Sequence, residues 1–138
     1  MRAFTINAIG PALIAKHMLP HLSLTEKTVF VALSARVSSI SDNRLGGWHA
    51  YRASKAALNM LIRNLAIELG RSNRLAVCVA LHPGTVDTPL SKPFQRGVSA
   101  KRLFTPDVAA AHLLSVIDSL TLVQSGRVFA WDGEEIAP

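Results

Sequence analysis

The sequence has few of the residues that build metal sites, disulfide scaffolds and membrane spans. Of its 138 residues one is cysteine and one is tyrosine. Cys78 has no partner for an internal disulfide, and no cysteines or histidines have the spacing of a metal site. Asn7, Pro11 and Lys16 interrupt the apolar start, well short of the roughly 18 residues of a transmembrane helix. We expect no metal and no membrane span, and the lone thiol favours the reducing cytoplasm.

The formal net charge of +6 raises nucleic acid as a partner. The basic residues are scattered, however, and the single cluster has no interleaved aromatic residues beyond Phe94 and Phe104. That cluster consists of Lys92, Arg96, Lys101 and Arg102. A solvated loop explains it better, so we expect no nucleic-acid partner.

Apolar periodicity predicts helices that alternate with short buried strands. The predicted elements are a helix over 4–19, a strand over 28–34, a helix over 50–69 ended by Gly70, a strand over 75–81, a helix from Thr105 to about Leu120 and a strand over 127–131. Strands separated by helices imply parallel neighbours with right-handed crossovers. The predicted fold class is therefore α/β, with about three strands and three main helices in a doubly wound parallel sheet. Residues 86–104 are predicted to be a long connection.

Ligands in such sheets bind beyond the carboxyl ends of the strands, which directs attention to residues 34–55 and 82–92. In the first segment Tyr51 and Lys55 stand four residues apart, on one face of the predicted helix. A free phenol is a poor acid or base at neutral pH, but a nearby ammonium favours the phenolate and lowers the pKa. Such a phenol can exchange a proton with an alcohol or alkoxide. The pair alone is weak, because a surface pair on a helix has the same spacing.

The flanking residues strengthen the interpretation. Ser34, Ser38 and Ser39 follow the first strand, so that a hydroxyl can reach a substrate oxygen beside the phenol. Pro83-Gly84-Thr85-Val86-Asp87-Thr88 follows the second strand. There Gly84 would allow a flat ligand to approach the backbone, and Thr88 could bind an amide. A strand ending in serine, a Y-x-x-x-K helix and a strand ending in P-G-x-V-x-T resemble the short-chain dehydrogenase/reductases, most closely the C-factor-like and sniffer-like members.

The resemblance covers the whole chain and implies a Rossmann-like fold and a role for each matching residue. Tyr51 would be the proton donor or acceptor, and Lys55 would lower its pKa and hold the nicotinamide ribose. Asn7 would match the helix asparagine that holds a proton-relay water. The residues against the nicotinamide would be Pro83, Gly84, Val86 and Thr88.

The catalytic serine is less sharply defined. The usual serine of the family lies about thirteen residues before the tyrosine, which reaches Ser38. The strand-end position instead falls at Ser34-Ala35. We expect Ser38 or Ser39 to supply the hydroxyl, with Ser34 as the alternative. Of the other residues in this region, His82 is interpreted as a turn residue, and Trp48 as either a wall of the cleft or a packing residue.

The glycine-rich turn with which this family begins has no counterpart here. None of the eight glycines belongs to a G-x-G-x-x-G-like array. We therefore expect residues 1–138 to be a partial nucleotide-binding domain lacking the N-terminal half, either a gene fragment or part of a longer protein, and inactive alone. Its first strand would expose an unpaired edge. The resemblance implies NAD or NADP, with NADP slightly favoured, a small carbonyl or alcohol substrate, and a homodimer or homotetramer at full length.

Three functions remain open from the sequence. The first is an NAD(P)-dependent oxidoreductase. The second is a catalytically inert fragment that acts as a dimerisation or interaction module. The third, a basic nucleic-acid-binding domain, depends on charge alone.

Overall fold

Three parallel strands form the centre of the structure. The computed structural model describes all residues, Met1–Pro138. Its strands are β1 (Thr28–Leu33), β2 (Ala76–His82), β3 (Thr85–Val86), β4 (Leu103–Phe104) and β5 (Val128–Ala130). The main sheet has the order β1-β2-β5, and both of its pairings are parallel. β2 is central because it carries the most continuous apolar run, and six of its seven residues are buried.

The helices connect these strands in the predicted order. A nearly continuous N-terminal helix consists of α1 (Arg2–Phe4), a π-helical turn (Thr5–Ile9) and α2 (Gly10–Met18), and it is followed by α3 (His49–Ser72) and α4 (Pro106–Ser119). α4 begins where predicted, because the Thr105 side chain caps the amide of Val108 and a proline takes the first helical position. None of the helices is both long and apolar enough to cross a membrane.

The sheet has an apolar layer on each face. On one face α3 packs against alternate strand residues, among them Ala32, Cys78 and Ala80. On the other face α4 packs against the intervening residues, including Val77, Val79 and Leu81. The chain therefore covers both faces of a parallel sheet, as the doubly wound interpretation predicts. Cys78 is fully buried, as expected.

Gly70 does not end the long helix, contrary to our expectation. α3 continues to Ser72, and the chain leaves the helix at Asn73, whose backbone is extended. The buried side chain of Asn73 accepts a hydrogen bond from the amide of Leu75 and donates one to the carbonyl of Ser23. These bonds stabilise the exit from the helix, and glycine is not required for it.

Residues 86–104 are more ordered than a simple connection. β3 pairs in parallel with β4, with Thr85 opposite Leu103 and Val86 opposite Phe104. Two short 3₁₀ turns, Lys92–Phe94 and Ala100–Arg102, lie between these strands. The segment is thereby folded back beside the end of β2. At the other side of the main sheet β1 pairs only with β2, so the predicted unpaired edge is confirmed.

Candidate active site

A cleft of about 800 Å³ opens at the carboxyl end of the main sheet. The segments after β1 and β2 form its walls, together with the first turn of α3. Its lining includes Tyr51, Pro83, Gly84, Val86 and Thr88. The two segments singled out in the sequence therefore meet at one site, as expected for an open parallel sheet.

The Tyr51–Lys55 pair lies at the start of α3, where the helix meets the end of β1. Tyr51 is half-buried and lines the cleft, whereas Lys55 is buried beneath it. The Lys55 ammonium donates a hydrogen bond of 2.8 Å to the carbonyl of Leu33, and its Nζ lies 6.0 Å from the centroid of the Tyr51 ring. The helical spacing thus places both groups at the site.

The protonation of this pair differs from the expectation. Burial raises the pKa of Tyr51 and lowers the pKa of Lys55. Desolvation disfavours the charged form of each group, phenolate and ammonium alike. The pKa of Tyr51 is thus shifted in the direction opposite to the predicted lowering by Lys55, and burial is the cause.

Asn7 lies beside α3, on the π-helical turn of the N-terminal helix. Its side-chain amide donates a hydrogen bond of 3.0 Å to Ser54 Oγ, and that hydroxyl donates to the carbonyl of Tyr51. Ser54 is fully buried. Asn7 is therefore linked to the Tyr51 backbone, but it does not line the cleft and makes no direct contact with Lys55. Nothing in the sequence indicated that Ser54 links Asn7 to the backbone of Tyr51.

The candidate serines are held away from the phenol. Ser38 is buried, donates to the carbonyl of Ala35 and accepts from Asn59, both at 2.6 Å. Ser39 is buried among contacts to its own loop and to the C-terminal residue. Neither lines the cleft, so the expected placement of a Ser38 or Ser39 hydroxyl beside Tyr51 is not found. The 3₁₀ turn Arg36–Ser38 causes this, because it turns both side chains into the protein.

Ser34 and Ala35 stand at the cleft instead. Ser34 follows the last residue of β1, and its hydroxyl donates a hydrogen bond of 2.6 Å to the Asn59 side chain. Its only proton is thereby engaged. Asn59 lies one helical turn beyond Lys55, and it binds Ser34 and Ser38 together. The sequence alone did not identify Asn59 as the residue that fixes this loop.

Gly84 makes a contact that the sequence did not predict. Its φ is +78°, in the left-handed region that favours glycine. A Cβ at this position would stand 2.7 Å from Phe104 Cε2 and 3.0 Å from Trp131 Cδ1. Gly84 lines the cleft, but the space beside its Cα is filled by these two aromatic side chains. Glycine is required here by the turn and by aromatic packing.

His82 lines the cleft, although the sequence indicated only a turn residue. It is the last residue of β2 and not a turn residue, and it lines both the main cleft and an adjoining cavity of about 440 Å³. Its Nδ1 is buried without a hydrogen-bond partner. Burial and, to a lesser extent, the Arg36 guanidinium lower its pKa to about 4, against an opposing effect of Asp132. Its position at the end of a predicted strand was the sequence feature that could have identified it as a cleft residue.

Trp48 is both a wall of the cleft and a packing residue. It is the only residue other than glycine with a positive φ, 47°, and it follows two left-handed glycines, Gly46 and Gly47. Its ring contacts Phe94 edge-on at a centroid distance of 5.4 Å, and the Arg52 guanidinium lies 5.4 Å from its centroid. Arg52 also donates to the carbonyls of Gly47 and Val37, which ties the loop to α3.

This geometry agrees with the comparisons to known proteins. Residues 1–120 match the family model described as enoyl-(acyl carrier protein) reductase. The chain is 38% identical over 135 residues to C-signal of Myxococcus xanthus, an alignment that covers 98% of this chain and 76% of C-signal. The chain belongs to the short-chain dehydrogenase/reductase family. The resemblance inferred from the sequence is thus confirmed.

Other members of the family show how much of a typical length is present. The chain is 39% identical to 1-hydroxy-2-glutathionyl-2-methyl-3-butene dehydrogenase of Rhodococcus sp., covering 96% of this chain and 55% of that enzyme. Among solved structures, carbonyl reductase Sniffer of D. melanogaster superposes with a TM-score of 0.84 at 26% identity, and NADPH-bound carbonyl reductase from chicken fatty liver with 0.81 at 32%. In both, the match covers 98% of this chain and 55% of the neighbour. The chain therefore spans about half the length of these short-chain dehydrogenase/reductases and has their Rossmann-like fold.

Proposed function

We propose that the chain is the C-terminal part of an NAD(P)-dependent oxidoreductase that interconverts a carbonyl compound and an alcohol. One observation carries this proposal: Tyr51 opens onto the same cleft as the segment from Pro83 to Thr88. A proton donor thus faces the residues that match the nicotinamide-binding segment of the family. The glycine-rich half is absent from these residues, so the chain alone is not expected to turn over substrate.

The residues present suit the nicotinamide half of the cofactor. Pro83, Gly84, Val86 and Thr88 line one wall of the cleft, and the chain turns at Gly84 directly after the strand end. A nicotinamide held by this wall would supply the hydride for the carbonyl carbon of the substrate. The chicken carbonyl reductase binds NADPH, which supports a slight preference for NADP here.

Tyr51 moves the proton in this proposal. During reduction the substrate oxygen gains negative charge, and the neutral phenol of Tyr51 donates its proton to that oxygen. The raised pKa keeps the phenol protonated at neutral pH, which suits donation. Lys55, held by the Leu33 carbonyl, lies beneath the phenol and stabilises the phenolate that remains. Asn7 and Ser54 fix the first turn of α3 from behind, and Asn7 would hold the relay water.

The substrate is proposed to be a small carbonyl compound or alcohol. Trp48 and Phe94 give one end of the cleft an aromatic wall, while Arg44 and Arg52 place positive charge beside it. The Rhodococcus relative is by name a dehydrogenase of a glutathionyl alcohol, and Sniffer is a carbonyl reductase. Both names describe reactions at an alcohol or a carbonyl group, whose oxygen would exchange a proton with Tyr51.

Substitution of Tyr51 tests the proposal in the full-length protein. We expect Tyr51→Phe to lower turnover of a carbonyl substrate by about 10²- to 10⁴-fold, because general acid catalysis is lost. NADPH binding and circular dichroism serve as controls and should remain as in the wild type. Turnover at the wild-type rate would show that Tyr51 is not the proton donor.

A second candidate is an inert module that associates through an apolar surface. The N-terminal helix exposes several large apolar side chains: Phe4, Ile6, Ile9, Leu13, Ile14 and Met18. Such a contiguous face is typical of an interface between chains. It also favours a homodimer or homotetramer of the full-length oxidoreductase. Sedimentation of the 138-residue chain tests association directly.

The coding DNA upstream of Met1 distinguishes the two candidates. An uninterrupted reading frame that encodes a strand and a glycine-rich turn would support the oxidoreductase. A stop codon directly upstream would support the inert module. In that case Tyr51 and Lys55 would record ancestry and not present activity.

A further inference from the structure

Reduction of a carbonyl group by a single proton donor leaves the substrate oxygen poorly oriented, and a second donor normally faces the same oxygen. The three candidate serines that follow β1 do not provide it. Ser38 and Ser39 do not line the cleft, and the Ser34 proton is donated to Asn59. We infer that His82 is the second donor, and that its Nε2–H binds the substrate oxygen beside Tyr51. This inference rests on the proposed oxidoreductase function.

The position of His82 suits the role of second hydrogen-bond donor. The parallel pairing of Leu33 with Leu81 places Ser34 and His82 side by side at the strand ends, and the Ser34 amide bonds to the Leu81 carbonyl at 2.7 Å. Alternation along β2 puts His82 on the same face as Cys78 and Ala80, which is the face that packs against α3. The imidazole therefore lies on the side of the sheet that carries Tyr51, and both residues line the cleft.

The surroundings of the ring decide which of its two nitrogens can act as a hydrogen-bond donor in the cleft. Burial and the neighbouring Arg36 guanidinium lower the pKa of His82 to about 4 against the opposing effect of Asp132, so the imidazole is neutral at neutral pH. Nδ1 is buried and has no hydrogen-bond partner, so it cannot reach a substrate in the cleft. Only the Nε2–H tautomer can therefore offer a neutral donor to the cleft. A neutral donor can orient an oxygen without surrendering its own proton.

Two substitutions by amide side chains distinguish hydrogen-bond donation by His82 from simple packing. Glutamine places its amide nitrogen near the position of Nε2, whereas asparagine places it near Nδ1. In the full-length oxidoreductase we expect His82→Leu and His82→Asn each to lower kcat/KM for benzaldehyde by about 100-fold. His82→Gln should retain most of the wild-type value. Equal losses in His82→Gln and His82→Asn would overturn the inference, even if His82→Leu fails to fold.

Tyr51→Phe is measured in the same assay. If Tyr51→Phe retains turnover, the proposed function itself fails. If Tyr51→Phe loses turnover and His82→Leu does not, only the inference about His82 fails. A loss in Ser34→Ala as large as that expected for His82→Leu would assign the donor to Ser34 and also overturn it.

NMR of the histidine ring nitrogens in the 138-residue chain gives a readout without turnover. We expect the His82 signal, identified by its loss in His82→Gln, to show a neutral ring with the proton on Nε2. A proton on Nδ1, or a charged ring at neutral pH, would contradict the inference.

Discussion

Lys55 Nζ donates a hydrogen bond to the carbonyl oxygen of Leu33, 2.8 Å away. This bond ties the first turns of α3 to the end of β1 and holds the ammonium below the cleft. The ammonium lies 6.0 Å from the centroid of the Tyr51 ring. Burial then dominates, and the pKa of Tyr51 is raised. The phenol of Tyr51 is therefore protonated at neutral pH, which suits the proposed proton donation.

The ionisation of Tyr51 can be followed without interference, because it is the only tyrosine. We expect the phenolate absorbance of the chain to appear with a midpoint above the ordinary pKa of 10.0. The folded state favours the protonated phenol, so its contribution to the free energy of unfolding is present below about pH 10 and is lost as the pH rises through the folded pKa. Tyr51→Phe should abolish the signal. A midpoint below 10.0 would show that Lys55 controls the phenol after all.

Gly84→Ala should destabilise the chain strongly. A methyl group at this position would stand 2.7 Å from Phe104 and adopt a left-handed backbone, so strain and overpacking add to about 2–4 kcal/mol of unfolding free energy. Gly133→Ala is the matched control, because Gly133 has a φ of +84° but no atom within 4 Å of the added carbon. It should cost only about 1 kcal/mol. Urea unfolding measures the loss of unfolding free energy in both variants. Equal losses would mean that Phe104 and Trp131 move aside without a measurable free-energy cost.

Asn59→Ala should lower stability by about 1–3 kcal/mol, since the buried hydroxyls of Ser34 and Ser38 lose a shared partner. Asn64→Ala is the control on the same helix. Asn64 is exposed, and alanine favours the helix, so that change should be neutral or slightly stabilising. Thermal unfolding of the two variants gives the comparison. If both behave alike, the Asn59 bridge does not stabilise the loop.

The sequence was sufficient for the features that arise from local patterns. The alternation of apolar strands and helices predicted the parallel sheet, because each strand buries both faces and each crossover needs a helix. The four-residue spacing of Tyr51 and Lys55 predicted a shared helix face. The Thr105-Pro106 pair marked the start of α4, since both residues act within one turn.

Features that depend on contacts between distant residues could not be read in this way. The direction of the Tyr51 pKa depends on burial by segments far along the chain. The position of Ser38 outside the cleft depends on Asn59, which binds the loop from another element, and Ser39 is held by the distant Pro138. His82 was passed over because its unpartnered Nδ1 is visible only when the strands are assembled.

Cys78 provides a test of the core itself. It lies in the centre of β2, fully buried, and burial raises the pKa of its thiol to about 12. Fewer than about one thiol in ten thousand is then ionised at neutral pH, and only the thiolate attacks a disulfide reagent. We expect Ellman's reagent to leave the folded chain unmodified and to label one thiol per chain in guanidinium. Cys78→Ala, which preserves a small apolar side chain, is the unlabelled control. Rapid labelling of the folded chain would mean that β2 opens readily, and that the sheet carrying the site is not stable without a further partner.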